Sequence, residues 1–451
     1  MRNLNNMKNK PKLIAPEYII TFILVTTLFF LWALPNILND VLIKQFQKSL
    51  ELTRFQAGFI QTAIKFGYFC LAIPAGLYMQ RFGYKQGLLT GLLTFAIGCF
   101  LFYPAASTQI YFVFLGAIFI IGGGLSFLEL GANSFVAGLG EPATSARRLN
   151  LAQSFNPIGG ITAAILGKHF IFSGNEPSLE QIAKMKTQIT ATGNAYTDFL
   201  QVENARIWPT YMVIGLLVLL VAFLIWRAKF PTITASETSS TGEQKGSYRK
   251  LFKFPHWYGA IISQFFYLGA QLGTWSYLIT YVQENSPMNE KQAGNLLIIN
   301  MVIFMTGRFF ATYLMKWVQA TRLMGYYALI NIGLILVVIF GSKWASWTGV
   351  HDVSYWFGII AMMATSFFMS LMYPTNFASG IKGLGPHTKI GSSLLIMSLI
   401  GGAILTPLIG LIGEASWAKA IAPGMIIPLI SYCVITWYGF YGSRPRGQLY
   451  L

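Results

Sequence analysis

Two carboxylates, Asp40 and Glu129, lie inside stretches of sequence that are otherwise long and apolar enough to cross a lipid bilayer. Asp40 lies in residues 18–43 and Glu129 in residues 109–138. A carboxylate at membrane depth is costly unless it faces a polar cavity or has a partner, and such groups usually mark ion coupling or solute binding. The two residues therefore predict a transporter, in which the carboxylates serve ion coupling or substrate binding.

Amide and aromatic side chains recur at helical spacing around these carboxylates. The sets are Trp32, Asn36 and Asp40; Glu129 and Asn133; Gln153 and Asn156; Gln264, Gln271 and Trp275; and Tyr373 and Asn376. Amides offer paired donors and acceptors that suit the hydroxyls of a sugar, and aromatic rings cover its apolar face. Any single amide could equally hold helices together, for about 0.6 kcal/mol. Taken together, the sets predict a cavity for a small polar solute.

Lys65 is a third ionisable residue within an apolar run. At about 1.5 Å per residue, it lies about 15 Å into the run that starts at Phe55, where the side chain cannot easily reach the membrane surface. We expect it to seek Asp40 or Glu129 as a partner. Either a permanent ion pair neutralises the cavity, or Lys65 favours the ionised carboxylate and takes part in coupling. The third alternative is that it faces a wet crevice.

The amino-acid composition predicts that these residues belong to an integral membrane protein. The 451 residues are 54% hydrophobic and 10% charged, against about 25% charged in soluble domains. Reading apolar runs of about 20 residues as spans predicts an all-α integral membrane protein of twelve transmembrane helices. The runs are 18–43, 55–79, 86–105, 109–138, 150–172, 207–229, 257–284, 293–315, 323–341, 354–381, 390–413 and 421–440.

The net charge of +17 follows from topology. With a cytoplasmic N-terminus, about twice as many lysines and arginines fall in inside segments as in outside ones, which is the positive-inside pattern. We therefore expect both termini in the cytoplasm and no binding of nucleic acid.

Short tracts recur about 240 residues apart, which is typical of transporters built from repeated helical bundles. Gln56-Ala57-Gly58 matches Gln292-Ala293-Gly294, and the Gly-Leu-Gly tract at 138–140 matches that at 383–385. The repeat predicts two six-helix halves, 18–229 and 257–440. The Ser/Thr-rich residues 230–256 between them read as a flexible cytoplasmic linker. In the polar outer stretch 174–205 we expect a short surface helix over Ser178–Thr187.

The sequence shows no residue spacing typical of an enzyme active site or of a metal site. The four histidines lie at the ends of apolar runs or in loops, and the three cysteines have no metal or disulfide spacing. We expect no catalytic site, no cofactor and no metal.

Several motifs resemble the fucose–galactose–glucose:proton symporter family of the major facilitator superfamily. They include FFLWALPNILNDVLIKQFQ, FLELGANSFVAGLG, RLNLAQSFNPIGG, YLGAQLGTWSYLI and MYPTNFASGIKGLG. The Arg81–Lys85 loop resembles the superfamily's signature loop, and Gly307-Arg308 resembles its copy in the second half. Lys65 stands where the family has an aromatic residue.

This resemblance implies symport of a monosaccharide with a proton, with L-fucose as the first choice. It implies that Asp40 and Glu129 are the transport carboxylates and that Trp32, Gln153, Asn156, Trp275 and Tyr373 line the cavity. D-glucose or D-galactose, coupling to sodium, and an uncoupled facilitator remain alternatives. We expect a bacterial inner-membrane protein that works as a monomer.

Overall fold

The computed structural model describes residues 13–14, 16–52, 54–171, 179–190, 193–231, 248–288, 290–348, 351–414 and 420–444. These residues are helical almost throughout, as expected in lipid, where backbone groups must be satisfied within the segment. In the first part of the chain the helices are α1 (Ile19–Ser49), α2 (Arg54–Phe100), α3 (Phe102–Thr108), α4 (Tyr111–Gly138), α5 (Ser145–Gln153), α6 (Asn156–Leu166), α7 (Leu179–Thr187), α8 (Ala195–Ala205) and α9 (Ile207–Arg227). A two-residue antiparallel hairpin, β1 (Ile189–Thr190) and β2 (Gly193–Asn194), lies between α7 and α8.

The later helices are α10 (Tyr248–Leu251), α11 (Pro255–Ser276), α12 (Leu278–Asn285), α13 (Glu290–Leu314), α14 (Ala320–Thr348), α15 (His351–Met369), α16 (Met372–Gly380), α17 (Thr388–Met397), α18 (Ile400–Glu414) and α19 (Ile426–Trp437). Short 3₁₀ turns precede α1, α5, α17 and α19, and π turns follow α6 and α19.

Nine helical segments within the described residues are long and apolar enough to cross a membrane. They account for all the predicted runs except 150–172 and 257–284, with Phe59–Thr108 covering both the second and the third run. The two exceptions are helical as well, but each is interrupted: α5 gives way to α6, and α11 to α12. Their polar side chains, the amides among them, make them less apolar than an ordinary span, and they carry four of the predicted solute-binding residues.

The loop that resembles the superfamily signature is a kink within α2. Gly83 has φ +85° and ψ 172°, a conformation that glycine adopts without a steric penalty. Beyond the kink, Lys85 donates from Nζ to the carbonyl oxygens of Trp226 and Ala228, both at 2.8 Å. A cation at the C-terminus of α9 complements the negative end of the helix dipole, so this lysine fixes α2 to the end of α9.

The chain forms two compact units, which we call unit A and unit B. Unit A consists of Thr26–Ala132 and Ile158–Phe230. Within it, glycines let helix backbones approach closely: a Cβ on Gly122 of α4 would lie 2.3 Å from the Ile64 carbonyl oxygen of α2. The helix α9 packs on α2 and α3, where the rings of Phe102 and Tyr211 stack with centroids 3.8 Å apart.

Unit B consists of Met1–Val25, Asn133–Pro157 and Pro231–Leu451. Its centre is α11, which packs against α16, α18 and α19, while α14 packs against α15 and α19. The short α5, although early in the sequence, packs here against α13 and α16. A Cβ on Gly401 of α18 would lie 2.1 Å from the Phe265 carbonyl oxygen, which shows how closely α18 approaches α11.

The predicted surface helix over Ser178–Thr187 is confirmed as α7. Most of the predicted linker, residues 232–247, lies outside the described residues. The division into halves 18–229 and 257–440 stays a prediction.

Candidate functional site

In unit A, a hydrogen-bond network joins α1, α2 and α4 around the hydroxyl of Tyr68. Trp32 donates from Nε1 to this hydroxyl, and the side chains of Asn36 and Glu129 are also hydrogen-bonded to it. A carboxylate only accepts, so the hydroxyl donates to Glu129 and accepts from Trp32 and Asn36. Glu129 and Tyr68 are each only 4% exposed. The predicted coupling residue is therefore buried and held in a polar network that includes two predicted solute-binding residues.

Lys65 lies one helical turn before Tyr68 on α2. Its Nζ is 5.6 Å from the centroid of the Tyr68 ring, and the side chain is half-buried. The lysine therefore approaches the tyrosine that contacts Glu129, and its role as a charge partner stays a prediction. Asp40 lies within α1, but its side chain is outside the described residues.

In unit B, three predicted residues from three helices form a second network. Gln153, the last residue of α5, donates from Nε2 to Asn133 Oδ1 of α4 at 2.7 Å. Asn133 donates in turn from Nδ2 to the Tyr373 hydroxyl of α16 at 3.4 Å. The Tyr373 ring lies 6.2 Å from that of Tyr267 on α11. The structure thus brings Asn133, Gln153 and Tyr373 into one chain of hydrogen bonds.

Trp275 is held by a separate set of contacts in unit B. Its Nε1 donates to Ser366 Oγ at 3.0 Å, and its ring meets that of Phe304 edge-on at 5.0 Å. Asn300, with its amide oriented to satisfy its neighbours, donates to Ser366 Oγ at 2.8 Å and accepts from Trp275 Nε1 at 3.2 Å. These bonds fix the plane of the indole, while the ring itself remains only partly buried.

The remaining predicted residues have different surroundings. Asn156 opens α6 and is half-buried, and Gln271 is half-buried one turn before Trp275 on α11. Asn376 is fully buried, and its Oδ1 accepts from Ser263 Oγ at 3.0 Å. That bond joins α16 to α11, which is the packing role that the sequence left open for each amide.

Sequence reasoning missed Tyr68, Asn300 and Ser366. Tyr68 lies in an apolar run as an ordinary aromatic residue, although its spacing of three from Lys65 places both on one face of α2. Asn300 and Ser366 were single polar residues in apolar helices, and only the packing of α11, α13 and α15 brings them to Trp275.

Chemically, the two networks differ in what they offer. The network of unit A contains a buried carboxylate with a hydroxyl as its partner, which is suited to binding and releasing a proton. The network of unit B offers amides, a phenol and aromatic rings, which are suited to a neutral solute rich in hydroxyl groups.

The Major Facilitator Superfamily profile matches residues 18–388. Over 435 residues the chain is 41% identical to the L-fucose-proton symporter of Escherichia coli (strain K12), covering 96% of this chain and 94% of the relative. It is 31% identical over 422 residues to the glucose/galactose transporter of Brucella abortus biovar 1 (strain 9-941), covering 93% of each. Its structure is similar to the crystal structure of the E. coli fucose:proton symporter, with a TM-score of 0.81, 39% identity, and coverage of 95% of this chain and 99% of that one.

Proposed function

We propose, on the premise that this chain belongs to the Major Facilitator Superfamily, that it imports a monosaccharide together with a proton. The predicted fold class, a twelve-helix membrane bundle of this superfamily, is confirmed by the profile and by the structural similarity. The chain is a transporter, and the prediction that it is not an enzyme is confirmed by its relatives.

The observation that carries the proposal is the burial of Glu129 in hydrogen-bonding contact with Tyr68. A carboxylate that is 4% exposed at membrane depth is costly to keep there, and such residues usually mark ion pathways and proton relays. We assign Glu129, with Asp40, the role of carrying the coupled proton. Lys65 is the proposed charge partner of one of these carboxylates.

The residues proposed to bind the sugar are those that the sequence predicts. Trp32 and Trp275 would cover apolar faces of the ring, and Asn133, Gln153 and Tyr373 would pair with hydroxyls. Asn36, Asn156, Gln271 and Asn376 complete the proposed set, although Asn376 would have to leave its bond to Ser263 to reach a solute.

L-fucose is the first choice of substrate, because the relative with 41% identity is an L-fucose-proton symporter. D-glucose or D-galactose is the second choice, supported by the 31% identity to a glucose/galactose transporter. Amides that pair with hydroxyls should reject deoxygenated analogues strongly, because the buried polar groups would be left unpaired.

We also propose the membrane location, the orientation and the oligomeric state of the protein. The protein would lie in the bacterial inner membrane with both termini in the cytoplasm and function as a monomer. Its halves, 18–229 and 257–440, would alternate access to the bound sugar, joined by the linker 230–256.

Uptake by proteoliposomes tests the proposal. Purified protein is offered radiolabelled L-fucose, D-galactose, D-glucose or N-acetylglucosamine while the external pH is recorded. We expect L-fucose uptake with external alkalinisation, abolished by a protonophore and independent of sodium. Uptake that requires sodium would indicate coupling to sodium instead of protons. Uptake that continues without alkalinisation would indicate an uncoupled facilitator. Binding of an amino acid or organic anion but none of these sugars would refute the proposal.

A further inference from the structure

Two prolines in unit B each remove the helical hydrogen-bond donor of a carbonyl group. In an α-helix the carbonyl of one residue accepts from the N–H four residues later, and proline has no N–H. Pro157 stands four residues after Gln153, and Pro374 stands four residues after Ser370. The first carbonyl lies where α5 gives way to α6, and the second where α15 gives way to α16. Each break therefore exposes a carbonyl that needs another donor.

Arg308 supplies both donors. Its Nη1 donates to the Gln153 carbonyl oxygen and its Nε to the Ser370 carbonyl oxygen, each at 2.8 Å. The residue is 4% exposed, and its guanidinium lies 4.6 Å from the centroid of the Phe304 ring. It lies within α13, which continues to Leu314.

The two breaks carry much of the proposed sugar site. Gln153 and Asn156 precede the first proline, and Tyr373 precedes the second. The backbone of Gln153 is held by Arg308, while its side chain donates to Asn133. A change in the position of the carbonyl would therefore move the amide that is proposed to meet the sugar.

We propose that Arg308 is a positioning residue for sugar binding, acting by holding both proline breaks in place at once. This inference rests on the proposed function. The role requires arginine, because the rigid guanidinium fork presents donors in two directions, whereas a lysine ammonium is a single point of charge on a flexible stem. Arg308→Lys keeps the charge and can reach one carbonyl, but it leaves the other without a donor.

Sugar affinity of the purified protein is the first measurement. We expect Arg308→Lys and Arg308→Gln to weaken L-fucose binding by about tenfold, on the order of one lost charge-assisted hydrogen bond. The KM for uptake should rise in parallel. His256→Gln is the control, because His256 is 3% exposed in the same unit and its Nε2 lies 2.8 Å from the Lys382 carbonyl oxygen, at the N-terminal end of α11. It should lower thermal stability while leaving the affinity of the folded protein within about twofold of wild type.

Restoring the missing donor gives a sharper measurement. Pro157→Ala supplies an N–H four residues after Gln153, so the carbonyl no longer depends on Arg308. We expect Arg308→Lys to cost several-fold less affinity in the Pro157→Ala background than in wild type, which is the non-additivity of residues that share a partner. Pro374→Ala offers the same comparison for the Ser370 carbonyl and is used if Pro157→Ala does not fold.

The outcomes separate this inference from the proposed function. If wild type binds L-fucose and the Arg308 variants bind it equally well, the positioning role is refuted and the symport proposal stands. Strictly additive losses in the proline backgrounds would also refute the role. If wild type binds none of the sugars, the proposed function falls and the positioning role falls with it.

Discussion

Replacing Glu129 by glutamine removes a titrating group while keeping nearly the same shape. The amide can still accept from the Tyr68 hydroxyl that contacts the carboxylate, so we expect a stability cost of only about 1 kcal/mol. Glutamine does not bind a proton at any pH of interest. If Glu129 carries the coupled proton, the variant binds and exchanges sugar but no longer accumulates it.

The expected size of the effect follows from the membrane potential. At about 100 mV one elementary charge is worth about 2.3 kcal/mol, and about 1.4 kcal/mol corresponds to a factor of ten. One proton per sugar therefore supports about fortyfold accumulation in proteoliposomes. For Glu129→Gln we expect the ratio of internal to external L-fucose to fall to about one, with sugar exchange across the membrane retained.

Glu203→Gln is a matched control for this experiment. Glu203 is 2% exposed, and its carboxylate accepts from Gln45 Nε2 at 3.2 Å in unit A, but it lies outside the predicted apolar runs. The control should accumulate L-fucose as wild type does. Accumulation by Glu129→Gln at the wild-type ratio would refute the assignment of the proton to Glu129.

Three further predictions concern neighbouring residues. Lys65→Tyr removes a cation from the vicinity of the coupling network, so proton binding becomes easier and the alkaline limit of uptake should move to higher pH; an unchanged pH profile would exclude Lys65 from coupling. Gln153→Ala removes the donor to Asn133 and should weaken sugar binding by about ten- to a hundredfold, measured by equilibrium binding. Asn331→Ala, at a buried amide bonded to the Thr365 carbonyl, should leave affinity unchanged in that assay. Tyr68→Phe deprives the Trp32 indole of its acceptor and should weaken binding by about tenfold; wild-type affinity in that variant would show that Trp32 is held by other contacts.

Helical spacing alone was enough to place several site residues on shared faces, but not to pair them. Gln153 and Asn156 were recognised from their spacing, yet the bond from Gln153 to Asn133 depends on how α5 packs beside α4. Trp275 was recognised as a ring-covering residue, while its partners Ser366 and Asn300 belong to helices that meet it only in the folded protein. Which residues pair depends on how the helices pack against one another, and the spacing of residues along one helix contains no information about that packing.

The two runs that differ most from an ordinary membrane helix are also runs that carry predicted solute-binding residues. The runs 150–172 and 257–284 were predicted from length, and the structure divides each of them into two helices. Pro157 and the amides explain the first division from residues that were visible in the sequence. The donor that compensates Pro157 could not be foreseen, because Arg308 is 155 positions away from Gln153.

That separation has a consequence for biosynthesis. At about 5–20 residues per second, a ribosome that has just added Gln153 needs about 8–30 s to reach Arg308. By the end of this interval the first six apolar runs have left the ribosome, while the Gln153 carbonyl still lacks its guanidinium. A water molecule, a lipid headgroup or the insertion machinery must solvate that carbonyl until α13 arrives. The nascent chain is thus an intermediate in which the Gln153 carbonyl lacks its native donor, and the speed of translation sets how long this intermediate lasts.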